Sequence, residues 1–199
     1  MREHLRALLD AHTAHDDDEA ASLARMQSLI QTLPEPFSRH QPKAHFTASA
    51  LLLDETYQRI ALIHHAKLGR WLQPGGHAEP EDHGLMHLTA LREAQEETGC
   101  DVALVRDSTQ PIDVDAHRIP ARGDVEEHWH LDLRYLVVAK NSAAMSFNPS
   151  ESLGARWVSF EEALSIIEEG PLRRLIRKGQ RDYLADLQNT DDDRRAGHD

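Results

Sequence analysis

The stretch Gly75–Cys100, GGHAEPEDHGLMHLTALREAQEETGC, decides the fold. Two glycines open it, an acidic loop follows, and a periodic segment then carries three carboxylates, Glu93, Glu96 and Glu97. At about 100° per residue, these carboxylates fall on one side of a helix. Leu88 and Leu91 fall near the opposite side. The stretch therefore predicts a helix that buries its leucines and turns its acids toward a cleft.

Carboxylates gathered this closely repel one another, so a fold that collects them needs a compensating cation. Oxygen ligands suit a hard divalent ion, and the expected cofactor is Mg²⁺ or Mn²⁺. A solvated helix face paired with Arg92 is the alternative, and it would be preferred for an acidic helix taken alone. The Pro74-Gly75-Gly76 turn favours the metal site, because a glycine turn can bring backbone carbonyls up to an ion.

The run Arg92–Cys100, REAQEETGC, resembles the second half of the Nudix box, R-E-U-x-E-E-x-G-U. The full pattern is G-x5-E-x7-R-E-U-x-E-E-x-G-U, and Gly76 fits the glycine at its head. Counting the seven spacer residues back from Arg92 reaches Gly84 where the pattern has glutamate. Counting the five spacer residues forward from Gly76 reaches Asp82 instead. The loop is thus two residues longer than the pattern, with Asp82 as a candidate substitute for its outlying acid.

This resemblance implies a fold, a reaction and a set of ligands. The implied reaction is hydrolysis of the diphosphate linkage of a nucleoside diphosphate joined to another group, with two or more cations neutralising charge and activating water. Candidate substrates are nucleoside triphosphates, nucleotide sugars, ADP-ribose and dinucleotides, and the fold does not choose among them. The implied metal ligands are the Gly75 carbonyl and the carboxylates of Glu93, Glu96 and Glu97.

The resemblance also implies catalytic roles. Arg92 is not itself a metal ligand but orients the ligand Glu93. The general base is either Glu151, which stands in a region where relatives carry such a glutamate, or Glu97. The predicted catalytic residues are Arg92, Glu93, Glu96, Glu97 and Glu151.

Substrate contacts are predicted on both sides of the box. Arg70 and Trp71 precede the glycines. The Arg70 guanidinium could contact a distal phosphate, and the Trp71 indole could stack on a base or fill the core. His77 follows the glycines and is placed to touch a phosphate. His130 and Arg134 lie on a later strand, where the guanidinium could clasp a phosphate bidentately.

That later strand carries an alternating set of polar residues, His128, His130, Asp132 and Arg134. Alternation puts all four side chains on one strand face. A polar sheet face is one interpretation, and a second metal site with two imidazoles and a carboxylate is another. The preceding strand alternates in the same way at Asp113, Asp115 and His117. If the two strands pair, an extended polar surface results and would be expected to line a site.

Hydrophobic periodicity divides the chain into three parts. Residues 1–43 form a helical extension and linker, in which His12–Glu19 interrupts two helices and Pro34 ends the second. Residues 44–188 form the Nudix-like domain, and residues 189–199 form a charged tail expected to be disordered. The extension is expected to pack on the domain or on a second subunit, or to cap the substrate.

The predicted elements of the domain alternate between strands and helices. Strands are predicted at His45–Asp54, Arg59–His65, Asp101–Arg106, Ile112–Ile119, His128–Ala139 and Gly154–Ser159, and C-terminal helices at Phe160–Glu169 and Leu172–Leu187. This pattern alone predicts an α/β or α+β domain with a mixed sheet between helices. The resemblance implies the fold class α/β: a Nudix-like α/β/α sandwich with a mixed β-sheet, plus the N-terminal helical extension.

Composition excludes several partners. The 199 residues, 40% hydrophobic and 28% charged, fit a globular protein, and no apolar run reaches the ~20 residues that span a bilayer. The N-terminus lacks the features of a signal peptide, and the lone Cys100 fits a cytoplasmic location. A net charge of −12 argues against long nucleic acid, whereas a small nucleotide stays the expected partner because cations reverse the local field. A homodimer is expected from the family and from the apolar extension.

Rival functions leave different marks on the sequence. A non-catalytic, nucleotide-sensing Nudix-like module is expected to lose box acids, whereas all three glutamates are present here. An isoprenoid diphosphate isomerase would need a cysteine upstream of the box, but Cys100 stands at the helix end. An RNA 5′-end pyrophosphohydrolase remains an alternative function, although the acidic net charge gives no evident basic surface along which a long RNA strand would bind.

Overall fold

A computed structural model describes residues 1–147, 149 and 152–184 of the chain. An eight-stranded mixed sheet lies between two layers of helices. The helices are α1 (Arg2–Ala11), α2 (Asp17–Thr32), α3 (Met86–Thr98), α4 (Phe160–Ile166) and α5 (Gly170–Lys178). The strands are β1 (Ala44–Leu53), β2 (Arg59–His65), β3 (Arg70–Leu72), β4 (Gly75–His77), β5 (Val102–Leu104), β6 (Asp113–Ile119), β7 (His128–Ala139) and β8 (Ser152–Ser159).

Strand β1 is the centre of the sheet, and all ten of its residues are buried. It runs parallel to β7 along its whole length, from Ala44 opposite Trp129 to Leu53 opposite Val138. Its other edge pairs antiparallel with β2 at one end and with β4 at the other. β7 in turn carries β5 and β6, while β2 carries β3 and β8. The glycines of β4 are thereby held against the middle of the central strand.

The alternation of β1 builds two cores, one on each face of the sheet. Phe46, Ala48 and Ala50 pack in the core that includes α1, α2 and α3. Leu51 and Leu53 pack in the core that includes α4 and α5. A strand covered on both faces reads as a continuous apolar run, as the second half of β1 does. This arrangement confirms the predicted α/β/α sandwich with a mixed sheet and N-terminal helices.

Helix α3 buries a different stripe from the one predicted. Met86, Ala90 and Ala94 face the core, whereas Leu88 and Leu91 are only half-buried. The small alanines let the helix axis approach β1 closely, and the leucines cover its flanks. Gly99, with φ of +66°, ends the helix in the left-handed conformation that glycine adopts without strain. The three glutamates stay on the far side, as predicted.

The N-terminal helices are part of the first core. Leu5, Leu9 and Met26 are fully buried there, so α1 and α2 pack on the sheet. The interruption between them is shorter than predicted, because α2 already begins at Asp17. The Asp16 carboxylate accepts a hydrogen bond from the Glu19 backbone N–H and caps the helix.

The other predicted elements are present with different ends: β5 is shorter than predicted, whereas β8 and α5 begin earlier, at Ser152 and Gly170. The short strands β3 and β4 were not predicted. The predicted strand His128–Ala139 matches β7 residue for residue, whereas the predicted last helix gives α5 followed by a π-helical turn, Gly179–Leu184. The predicted tail, 189–199, lies outside the described residues. Among the described residues, no helix is both long enough and apolar enough to cross a membrane.

Candidate functional site

A cleft of about 560 Å³ opens where α3 faces β4. The acids of α3 form one wall, the turn Gly75–His77 forms the floor, and His117 and His130 from β6 and β7 approach from the other side. Arg39 and Lys67 add positive charge at the rim. Negative side chains at the base and cations at the rim suit a ligand that is anionic and binds together with metal ions.

The two glycines allow α3 to lie against β4. The Gly75 backbone N–H donates to the Glu97 carboxylate at 3.0 Å. A Cβ at Gly76 would lie 2.5 Å from the Glu93 carboxyl carbon, well inside contact distance. The absence of a side chain at these positions therefore brings Glu93 and Glu97 onto the turn.

Arg92 fixes the orientation of the glutamates around it. Its guanidinium donates to Glu93 at 3.0 Å, to Glu96 at 3.2 Å and to the His77 carbonyl oxygen at 2.7 Å. It also forms two hydrogen bonds with Asp82, at 2.9 and 3.2 Å. Burial alone would lower the pKa of Arg92, but its bonds to Asp82 and Glu93 raise that pKa further above neutrality. The permanently charged Arg92 side chain thus links α3, the turn Gly75–His77 and the loop that contains Asp82.

Asp82 occupies the position expected of a substitute for the outlying acid of the box. It ends a short 3-10 turn, Pro80–Asp82, and accepts hydrogen bonds from the Glu79 backbone N–H and the Thr89 hydroxyl. The next residue, His83, takes a left-handed φ of 51° and ends the turn, with its backbone N–H donating to the Pro80 carbonyl oxygen. The loop therefore contacts Arg92 through Asp82.

The donor chemistry of this wall fits a hard divalent cation. Glu93 and Glu97 are half-buried and Glu96 is exposed on the cleft side. Carboxylate and backbone oxygens are the ligands that Mg²⁺ and Mn²⁺ take in proteins. The predicted ligand set, Gly75, Glu93, Glu96 and Glu97, is thus brought together at one place.

Five histidines, here called the histidine cluster, lie together beside the cleft: His45, His77, His117, His128 and His130. Neighbouring ring centroids are 4.7 to 5.6 Å apart. Burial is the main cause that lowers the pKa of His45 to about 4, of His77 to about 3 and of His130 to about 2, and the neighbouring imidazoles add to it. These three rings are therefore neutral near pH 7.

Two predicted substrate residues lie away from the cleft. Arg70 is exposed and forms an ion pair with Glu169 at 3.1 Å. The Trp71 ring stacks on His64 at 4.9 Å, and the Arg156 guanidinium covers it at 4.4 Å. The β2–β3 pairing places His64 opposite Trp71 and so directs the ring along the sheet instead of toward the glutamates.

Arg134 does not line the cleft either, and it is only 4% exposed. Its guanidinium donates to Asp132 at 3.0 Å, to Asp113 at 3.2 Å and to Asp115 at 3.1 Å. The paired register of β6 and β7 produces this buried ion pairing and joins the two polar faces as predicted. A guanidinium with these partners is not available to clasp a phosphate. Glu151, one of the two candidates for the general base, lies outside the described residues.

The sequence did not predict that Arg39 and His45 would belong to the site. Arg39 comes from the linker between α2 and β1, where nothing indicates contact with the box. His45 joins the histidine cluster only because β1 runs parallel to β7, which puts it opposite His130. Cys100 is fully buried and does not line the cleft, and burial raises the pKa of its thiol.

Gly76→Ala is expected to weaken divalent-cation binding without unfolding the protein. The new methyl group would meet the mobile end of Glu93 rather than backbone, so the carboxylate moves and the turn remains. We expect the apparent Mn²⁺ dissociation constant, measured by calorimetry, to rise roughly 10- to 100-fold. Gly170→Ala is the control, because a Cβ there meets nothing within 4 Å. Equal Mn²⁺ affinity in both variants would remove Glu93 from the ligand set.

Comparison with known proteins identifies relatives of this chain. The NUDIX domain family profile matches residues 43–186. No curated protein matches the chain. Among solved structures, a NUDIX family hydrolase from Clostridium perfringens is 25% identical, with a TM-score of 0.52 over 68% of this chain and 96% of that one.

Two further structures share the fold at lower identity. The Caenorhabditis elegans Ap4A hydrolase, in a binary complex, is 17% identical, with a TM-score of 0.53 over 70% of this chain and 97% of that one. The Escherichia coli dihydroneopterin triphosphate pyrophosphohydrolase is 13% identical, with a TM-score of 0.51 over 67% of this chain and 92% of that one. At these identities the likeness concerns the fold.

Proposed function

The chain belongs to the NUDIX domain family, and from this membership we propose that it is a metal-dependent hydrolase that cleaves the diphosphate linkage of a nucleoside diphosphate derivative. The observation that carries the proposal is the meeting of Glu93, Glu96 and Glu97 with the Gly75–Gly76 turn inside one cleft. The hydrolase from Clostridium perfringens supports the reaction class.

The proposed metal ligands are the three glutamates and the Gly75 carbonyl. When bound there, Mg²⁺ or Mn²⁺ would neutralise phosphate charge and supply an activated water. Arg92 holds Glu93 and Glu96 by direct hydrogen bonds, so their carboxylates are set before a ligand arrives. Preorganised charge of this kind is the main contribution that a protein makes to cleavage of a phosphoanhydride.

Glu97 is the proposed general base among the described residues. Its carboxylate accepts the Gly75 N–H and lines the cleft. A base must lie within hydrogen-bond reach of the water that it deprotonates, and the Glu97 carboxylate is placed on the cleft wall where such a water would bind. Glu151 remains the second candidate from the sequence.

Positive side chains at the rim are proposed to receive the non-reacting phosphates. Lys67 is exposed beside the cleft, and Arg39 reaches it with only a long contact to Glu79, at 3.9 Å. His77, on the floor, is the proposed neutral donor to a phosphate oxygen. Distal contacts of this kind position the scissile bond, which contributes to rate through orientation.

A non-catalytic nucleotide sensor is the alternative function. It would use the same cleft and the same family fold, but it would not require carboxylates oriented around a turn. The retention of Glu93, Glu96, Glu97 and Arg92 in one hydrogen-bonded group favours the hydrolase.

Turnover of a nucleotide panel tests the proposal. The panel contains nucleoside triphosphates, nucleotide sugars, ADP-ribose and a dinucleoside polyphosphate, each with Mg²⁺, with Mn²⁺ and with EDTA. We expect at least one compound to release a nucleoside phosphate with either metal and none to do so with EDTA. Tight nucleotide binding without turnover would favour the sensor, and neither binding nor turnover would overturn both functions.

A further inference from the structure

Three imidazoles of the histidine cluster face one another at metal-ligand spacing. One ring nitrogen from each of His45, His128 and His130 lies within 4.8 Å of the others. They come from neighbouring strands: His45 stands opposite His130 in the parallel β1–β7 pair, and His128 is two residues away on the same face. Strand pairing therefore fixes the backbone of all three.

His45 is the side chain that requires explanation. It is 1% exposed, and within the described part of the chain neither of its ring nitrogens has a hydrogen-bond partner. The Gln41 carbonyl lies near enough to favour the protonated ring, yet outside hydrogen-bond geometry. Burying a polar group without a partner is costly, so such groups in native proteins commonly meet an ion or water.

His128 is already oriented as a ligand. Its Nδ1 lies 2.8 Å from the Glu126 carbonyl oxygen, an acceptor, so Nδ1 carries the proton. Nε2 then presents its lone pair. A backbone carbonyl on the far nitrogen is the arrangement that fixes tautomer and ring direction in metal-binding histidines.

Asp132 does not belong to this site, in contrast to the second metal site considered from sequence. Its carboxylate accepts hydrogen bonds from Thr47 at 3.1 Å, from Ser49 at 2.7 Å and from Arg134 at 3.0 Å. The donor set is therefore all imidazole nitrogen. Nitrogen ligands favour borderline metals such as Zn²⁺, Co²⁺ or Ni²⁺ over the hard ions that suit the carboxylate wall.

We propose that His45, His128 and His130 form a second metal site, which binds Zn²⁺ or a similar transition-metal ion beside the cleft. Three protein ligands leave a fourth position for water or for a phosphate oxygen. His130 lines the cleft, so the open position lies on the side where a substrate would sit. The site differs from the glutamate site in its residues, in its donor atoms and in the metals it selects.

The test measures metal binding directly and needs no substrate. The full chain, stripped with a chelator and then desalted, is titrated with Zn²⁺ and separately with Co²⁺ in excess Mg²⁺, which occupies the carboxylates. We expect one equivalent of Zn²⁺ to bind, and bound Co²⁺ to give the intense visible absorption of a low-coordinate nitrogen site. His45→Ala and His130→Gln are each expected to raise the Zn²⁺ dissociation constant roughly 100-fold or more, since even outer partners of a ligand cost 10–100-fold.

Two controls separate this site from its surroundings. His64→Ala removes another half-buried strand histidine, stacked on Trp71 and outside the cluster, and should bind Zn²⁺ as the wild type does. Glu96→Gln should retain Zn²⁺ while losing Mn²⁺ affinity, so failure of the glutamate site is distinguishable from failure of this one. Circular dichroism checks the fold of every variant. The proposal is overturned if the folded wild type binds no Zn²⁺ in excess Mg²⁺, or if folded His45→Ala and His130→Gln both bind it unchanged.

Discussion

Glu97→Gln is expected to lower turnover of the substrate by roughly 10²- to 10⁴-fold, the range for losing a general base or a preorganised charge. Glutamine keeps the size of the side chain, and its amide oxygen can still accept the Gly75 N–H that Glu97 accepts at 3.0 Å. The turn should therefore survive while the negative charge and the basic oxygen are lost. Steady-state kinetics with Mg²⁺ measures the effect, and thermal unfolding measures the fold.

Glu161→Gln makes the matched control, because it removes the same charge from an exposed position in the first turn of α4. Its turnover should equal that of the wild type. Since Glu97 is assigned both to the metal site and to the base, Mn²⁺ affinity is measured for Glu97→Gln as well. A folded Glu97→Gln protein with wild-type turnover and wild-type Mn²⁺ affinity would exclude both roles.

Glu19→Ala is expected to lower the free energy of unfolding by about 3–5 kcal/mol, the cost of leaving a buried charge without its partner. Glu19 is fully buried and accepts hydrogen bonds from the Lys178 ammonium at 2.7 and 2.8 Å. It also accepts the Val114 backbone N–H at 3.1 Å. One side chain of α2 thus ties the N-terminal helices to β6 and α5. Urea unfolding measures the loss.

Asp18→Ala is the control on the same helical turn. Because Asp18 is exposed, its substitution should lower the free energy of unfolding by less than about 1 kcal/mol. In Glu19→Ala the buried Lys178 ammonium keeps only its longer ion pair with Asp113, at 3.5 Å, among the described residues. Adding Lys178→Met to Glu19→Ala removes that ammonium and should restore part of the lost stability. If Glu19→Ala unfolds at the same urea concentration as Asp18→Ala, the buried pair does not stabilise the fold.

The same pair gives stability a pH dependence. Burial alone would raise the pKa of Glu19, but hydrogen bonds from His12 and Lys178 outweigh it and hold that pKa below its usual range. The unfolded chain therefore binds a proton at Glu19 more readily than the folded protein does. The contribution of Glu19 is accordingly complete above its unfolded pKa of about 4.3 and is lost as the pH falls below it.

Local sequence was sufficient for much of the fold and for the carboxylate wall. The glutamates of α3 share a helix, so their spacing alone predicts one face, and the alternation in His128–Ala139 predicts a strand with the observed ends. Asp82 could be identified as a candidate for the outlying acid of the box because its sequence spacing from Gly76 fits the pattern. Each of these inferences uses residues within one element or one loop.

The failures come from contacts between distant segments. Alternation showed that Arg134 shares a polar face with His130, but not that the aspartates of β6 and the backbone of Pro171 would enclose it. His45 carried no signal by itself, since its neighbours come from β7 through a parallel pairing. Trp71 packs against the second core, one of the two positions expected for it, but its strand partner His64 is not revealed by the hydrophobic pattern.

The parallel pairing of β1 with β7 has a consequence for how the protein is made. The first strand is synthesised about eighty residues before its central partner, as the register of Ala44 with Trp129 requires. The ten-residue ladder cannot close until β7 has been added, and contacts of such large sequence separation are slow to form. Helix α3 with its three glutamates is therefore synthesised before the sheet that will carry it is complete. The cleft, which needs His130, is finished only afterwards.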